Sequence, residues 1–142
     1  TLFVFISDHS HPSPRHWDHN QPEFRKIIMA FWGNVIRPEF KGYRYHKICS
    51  QIDFASTLLH QLGMPSSGFE WSKDLFNPYT SEFAYFEAID RFGWVRPGQY
   101  IFYAHDLRKY YLEKVNSEEE EKRLDKEGKS YLQTVFQEYT DY

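Results

Sequence analysis

The sequence predicts a mixed α/β fold, and three patterns support that reading. Two short apolar runs, at 2–6 and 26–32, have the length and β-former content of buried strands. An apolar stripe at helical spacing follows at 50–63. The remainder alternates aromatic, strand-like stretches over 82–113 and ends in an amphipathic helix that starts near Ser117.

The first run, Leu2-Phe3-Val4-Phe5-Ile6, is continuous rather than alternating, as expected for a strand covered on both faces in a parallel sheet. Residues 7–24 form a loop punctuated by Pro12, Pro14 and Pro22; at 18 residues it is longer than most connections, and such loops often carry function. The second run, 26–32, is stopped by Gly33-Asn34, and another loop with Pro38 and Gly42 covers 33–43. Ser50 then N-caps a helix, with Asp53 in a capping-box-like position. Ile52, Ala55, Leu58, Leu59 and Leu62 make its apolar stripe, and Gly63 ends it.

Residues 64–80 read as an irregular link with Pro65, Gly68 and Pro78. Strands are expected near 82–88, 92–96, 99–104 and 108–113, with turns at Asp90-Arg91, Pro97-Gly98 and His105-Asp106. That pattern is an antiparallel meander. Ser117 and the acids Glu118, Glu119 and Glu120 open the last helix, where Leu124, Tyr131, Leu132, Val135, Phe136 and Tyr139 share a face. Gly128 lies inside it and costs about 1 kcal/mol relative to Ala. One domain is expected, with a sheet-and-helix part over 1–80 and the meander with its helix over 81–142.

Composition narrows function. The 142 residues carry a formal net charge of -3 and no long basic run, which excludes a nucleic-acid footprint. No stretch is long and apolar enough to span a membrane. Aromatic content is high at 20%, and its placement inside strand and helix patterns assigns most of it to core. A non-catalytic glycan- or protein-binding module using exposed Trp and Tyr is the alternative. The single cysteine, Cys49, leaves the redox compartment open.

The chemistry concentrates behind the first strand. Asp8-His9 follows it directly, and active sites of open α/β sheets lie along the carboxyl edge of the strands. His11, Arg15, His16, Asp18 and His19 crowd the same loop. A carboxylate and a neutral imidazole suit Mn²⁺ or Zn²⁺, and the carboxylate also suits Mg²⁺ or Ca²⁺. Elsewhere the structural reading prevails. Thr57 and Cys49 read as packing, His60 as a packed or half-exposed helix residue, and His46 as part of a Tyr-rich strand. His105-Asp106 reads as a turn. Glu87 and Asp90 form a possible carboxylate pair of unknown separation. Glu118–Glu121 lacks the alternating ligands of a calcium loop and reads as a solvated helix start.

Taken in order, strand-Ser7-Asp8-His9, a His-rich loop, a second strand and Gln51-Ile52-Asp53-Phe54-Ala55-Ser56-Thr57-Leu58-Leu59-His60-Gln61-Leu62-Gly63 resemble the C-terminal half of sulfatase-like enzymes of the alkaline phosphatase superfamily. The branch it looks most like is the lipoteichoic acid synthase and phosphoglycerol transferase group. Phe69-Glu70-Trp71-Ser72-Lys73-Asp74-Leu75 resembles that family's next conserved segment. The resemblance implies that Asp8 and His9 are a metal-ligand pair, and that His11, His19 or Arg15 contacts phosphate or sulfate oxygens. It implies a divalent metal cofactor and a phosphodiester or sulfate-ester substrate. Ser10 stands where many relatives have Gly, which favours the transferase branch over the sulfatases.

The family's nucleophile and remaining ligands lie in an N-terminal half, so the resemblance implies that this chain is the C-terminal part of a larger catalytic domain. The start at Thr1, directly before a strand, agrees with a piece or a processed form. Its expected partner is that missing half, or a second copy associating through the sheet near Phe3, Phe5, Ile28 and Ala30. The family also implies an extracytoplasmic location, with membrane attachment only through segments outside these residues.

Overall fold

The structure, a computed structural model, describes residues 1–11, 16–19 and 21–141. Among the described residues the architecture is mixed α/β, with a two-stranded sheet, a four-stranded sheet and two α-helices. The chain divides into two compact units, Thr1–Thr80 and Ser81–Tyr142.

In the first unit, β1 (Leu2–Ile6) and β2 (Met29–Gly33) pair antiparallel, in register from Leu2 opposite Gly33 to Ile6 opposite Met29. This corrects the expectation of parallel strands buried on both faces. A parallel pair needs a crossover, normally a helix. Among the described residues between them, the only helical element is a 3₁₀ turn at Pro22–Arg25, so the chain simply returns beside itself. Side chains therefore alternate. Leu2, Val4, Met29 and Phe31 are half-buried, and the Phe31 ring lies 6.1 Å from Phe54. Phe3, Phe5, Ala30 and Trp32 form the opposite face, which is exposed, and Ile28 before β2 is exposed too.

Ser50 caps the helix as expected. Its N–H donates to the Asp53 carboxylate (2.8 Å) in a full capping box. The first turn, Gln51–Asp53, is 3₁₀, and α1 runs Phe54–Gln61. Gly63, at φ +67°, closes it: Met64 N–H donates to the Leu59 carbonyl and Gly63 N–H to that of His60, the two bonds of a Schellman motif. The expected apolar stripe is not the buried face. Ile52 and Leu62 are exposed, whereas Asp53, Ser56 and Thr57 are fully buried.

Those three polar residues are all engaged. Asp53 accepts from Lys73 N–H (3.0 Å) and lies 3.4 Å from the Lys73 ammonium. Ser56 N–H donates to the Ser72 hydroxyl (2.8 Å). The Thr57 hydroxyl donates to the Asp53 carbonyl (2.6 Å) and accepts from Leu75 N–H (3.0 Å). The helix packs on the irregular 72–75 segment, whose main chain needs partners that apolar side chains cannot supply.

The second unit is a meander of four antiparallel strands: β3 (Ala84–Ala88), β4 (Arg91–Arg96), β5 (Gln99–Ala104) and β6 (Lys109–Lys114). The first turn falls on Ile89-Asp90, one residue earlier than expected; Pro97-Gly98 turns as expected; the third spans 105–108, with Arg108 left-handed at φ +51°. α2 (Glu118–Thr140) is capped by Ser117, whose hydroxyl accepts from Glu120 N–H. Its Leu124 joins Phe92, Trp94 and Ile101 in the core, flanked by Phe83, Tyr85, Tyr103, Tyr110, Tyr131 and Leu132. Phe136 and Tyr139, expected on that face, are exposed.

Candidate functional site

The end of β1 is fixed from two sides. Ser7 N–H donates to the Ile28 carbonyl (3.0 Å), continuing the ladder by one bond. The Ser7 carbonyl accepts from the Gln51 side-chain amide (2.8 Å), tying the strand end to the start of the helix. Asp8 and His9 leave from this point, and both are largely exposed.

Their local geometry is specific. His9 N–H donates to Asp8 Oδ1 (2.9 Å), which orients the carboxylate. His9 Nδ1 lies 2.7 Å from the Ser10 carbonyl. A carbonyl only accepts, so the proton of the neutral ring is on Nδ1 and Nε2 keeps its lone pair. That bare nitrogen is 3.7 Å from Asp8 Oδ2. Two ligand atoms at that separation fit around one ion at bond lengths of about 2.1 Å. A ligating histidine typically has its other ring nitrogen fixed by just such an acceptor.

Among the described residues, no group of three or more His, Cys, Asp or Glu side chains is arranged to hold a metal. His11 and His16 are exposed, and the His19 ring packs against Phe24 at 4.3 Å between centroids. Among the described residues, none of the three completes a metal-holding group with Asp8 and His9, and an aromatic contact engages His19. Arg15 lies outside the described residues.

Thr57 is buried in the hydrogen bonds above, and burial, followed by the nearby Asp53 charge, pushes the Cys49 thiol above its ordinary value. A thiol raised in this way is a poor nucleophile. His46 lies in irregular chain rather than in a strand. His105 packs its ring near Phe92 and Tyr103. Glu87 and Asp90 do not act as a pair: Glu87 accepts from the Tyr85 hydroxyl (3.1 Å), and Asp90 is bound by Arg91 (2.6 and 3.1 Å), which holds its carboxyl below the usual range.

One cluster was not legible in the sequence. His60 Nδ1 lies 2.9 Å from Asp74, and its Nε2 lies 3.0 Å from the Ser66 hydroxyl. The three residues are spread over fifteen positions with no repeating interval, and the Gly63 turn that folds Ser66 back is what joins them.

No family model, curated protein or solved structure matches the chain. Among the described residues, no helix is long and apolar enough to cross a membrane.

Proposed function

We propose that this chain is the C-terminal part of a metal-dependent sulfatase-like enzyme, acting on phosphodiesters or sulfate esters at an extracytoplasmic site. The observation that carries the reading is the Asp8-His9 pair: a bare His9 Nε2 and a carboxylate oxygen 3.7 Å apart, at the fixed end of β1. A second observation agrees with it. The three segments that resemble the family are joined to one another: Gln51 to Ser7, and Asp53 to Lys73.

In this reading Asp8 and His9 would hold a divalent ion, whose chemistry would be to lower the pKa of a hydroxyl nucleophile and to neutralise charge at phosphorus or sulfur. The nucleophile and further ligands come from a segment outside these residues. His11, His19 or Arg15 serves the equatorial oxygens. The same outside segment covers the open face of Phe3, Phe5, Ile28 and Ala30; in its absence two copies of the chain associate there.

The test is turnover of bis-p-nitrophenyl phosphate and p-nitrophenyl sulfate by the protein containing these residues and the segment preceding them. Metal-dependent hydrolysis that falls at least about 100-fold in Asp8→Ala supports the proposal. Turnover of neither substrate, or activity indifferent to Asp8→Ala and His9→Ala, contradicts it.

A further inference from the structure

The cluster at the end of α1 has the connectivity of a catalytic triad. Asp74 is the anchor. Its Oδ1 accepts from Phe76 N–H (3.0 Å), and its own carbonyl accepts from the Thr80 hydroxyl (2.6 Å) and Asn77 N–H (3.2 Å). This leaves Oδ2 for His60 Nδ1, at 2.9 Å. A carboxylate only accepts, so the proton of the neutral imidazole is on Nδ1 and Nε2 is the acceptor. The Ser66 hydroxyl, 3.0 Å from Nε2, donates to it. A hydrogen-bonded staple would work with either ring nitrogen on either partner. The observed order, Ser to Nε2 and Nδ1 to Asp, is the one that activates a hydroxyl.

The surroundings fit the same use. Asp74 is 17% exposed and His60 45%, so the anchoring acid is sheltered and the base is reachable. Ser66 opens a tight turn, with Phe69 N–H donating to its carbonyl (2.9 Å). Among the described residues, none accepts from the N–H of Ser67 or Gly68, the two donors that follow the hydroxyl in the chain. Space beside Gly68 is open: a Cβ there would meet nothing within 4 Å. The same stretch exposes Leu62, Met64 and Phe69, apolar surface for an acyl chain.

We propose that Ser66, His60 and Asp74 form a metal-independent acyl-ester hydrolysis site, with carboxylic esters of apolar acyl chains as substrates. Ser66 Oγ attacks the carbonyl carbon while its proton passes to His60 Nε2. The C–O bond to the alcohol breaks, and the leaving alkoxide takes that proton. Water then attacks the acyl–Ser66 ester, giving its proton to His60, and Ser66 departs with it. Asp74 is a positioning residue that keeps Nε2 toward Ser66. This site is separate from the Asp8-His9 proposal and stands or falls without it.

The experiment uses the full chain in EDTA, which removes metal chemistry from the readout. A fluorophosphonate probe, whose phosphorus is attacked by the hydroxyl with loss of fluoride, is followed by peptide mass spectrometry, and p-nitrophenyl butyrate turnover is measured alongside. The expected result is one adduct, on Ser66, absent in Ser66→Ala. Labelling slows about 100-fold in His60→Ala and recovers with added imidazole, which no structural role provides. Asp74→Asn slows it too, and Asp74→Glu restores part of the rate. An unlabelled Ser66 in a chain with native circular dichroism overturns the proposal. So does a labelling rate unchanged by His60→Ala, which would make the three residues a structural clasp.

Discussion

At the residue scale, burial and close approach decide which side chains matter. Gly128 is the clearest case. Helix propensity alone counts it as a defect that Ala would repair by about 1 kcal/mol. In the fold it is fully buried where α2 meets β4, and an added Cβ would lie 2.6 Å from the Phe92 ring and 3.1 Å from Trp94 Cβ. Phe92 is itself fully buried and has no room to yield. Gly128→Ala is therefore expected to destabilise the protein by about 1–3 kcal/mol, as overpacking does, against the sign that propensity predicts. Chemical denaturation monitored by Trp fluorescence checks the sign; a stabilised variant would refute the packing argument. The sequence displayed the glycine but not the ring beside it, since the contact joins residues 36 positions apart. His60 is the half-exposed helix residue expected, but its partners Ser66 and Asp74 arrive through a turn rather than along a helix face, so the sequence did not display them.

At the scale of elements, local signals were the legible ones. The capping box at Ser50, the Gly63 stop, the Pro97-Gly98 turn and the Ser117 cap are written within a few residues each, and each is found where those residues stand. Strand partners and buried faces depend on distant residues. The continuous apolar runs at β1 and β2 pointed to parallel strands covered on both faces, whereas they pair antiparallel with one face open, and the stripe Ile52, Ala55, Leu58, Leu59 and Leu62 concealed that α1 buries its polar face. The attachment of α2 to the meander is similarly non-local. Glu127 accepts from Trp94 Nε1 (2.9 Å) and Arg96 Nε (2.8 Å). Burial pushes its carboxyl up, but the bonds from Arg96 and Trp94 outweigh that and hold it below the usual value. A group depressed on folding contributes stability that is complete above its unfolded pKa, about 4.3, and is lost as pH falls through the lower folded value. Glu127→Gln is expected to cost about 2 kcal/mol at neutral pH and to flatten the acid limb of the stability curve below about pH 5. Melting temperatures of both proteins from pH 3 to 7 check this; parallel curves would show that the two bonds carry no such linkage.

For the molecule as a whole, the two units differ in how they are held. Residues 81–142 close around an aromatic core, which agrees with assigning most aromatics to packing. Residues 1–80 leave Phe5, Ile28 and Trp32 at 57%, 70% and 65% exposure on a two-stranded sheet, too few strands to be stable alone in water. Neither strand carries a charged side chain to discourage pairing. If an outside segment covers this face, the isolated chain should self-associate, and Trp32→Glu should return it to monomer in sedimentation velocity. A native chain that sediments as a monomer at high concentration would count against a covered face.

Paramagnetic relaxation tests whether Asp8 and His9 bind a metal ion. Mn²⁺ titrated into the isotope-labelled chain should broaden the amides around Asp8 and His9 first, weakly at two-ligand affinity. Asp8→Ala should abolish that local broadening. Broadening that instead centres on the acidic start of α2, or that persists unchanged at residues 7–10 in Asp8→Ala, would rule out the pair as a metal site.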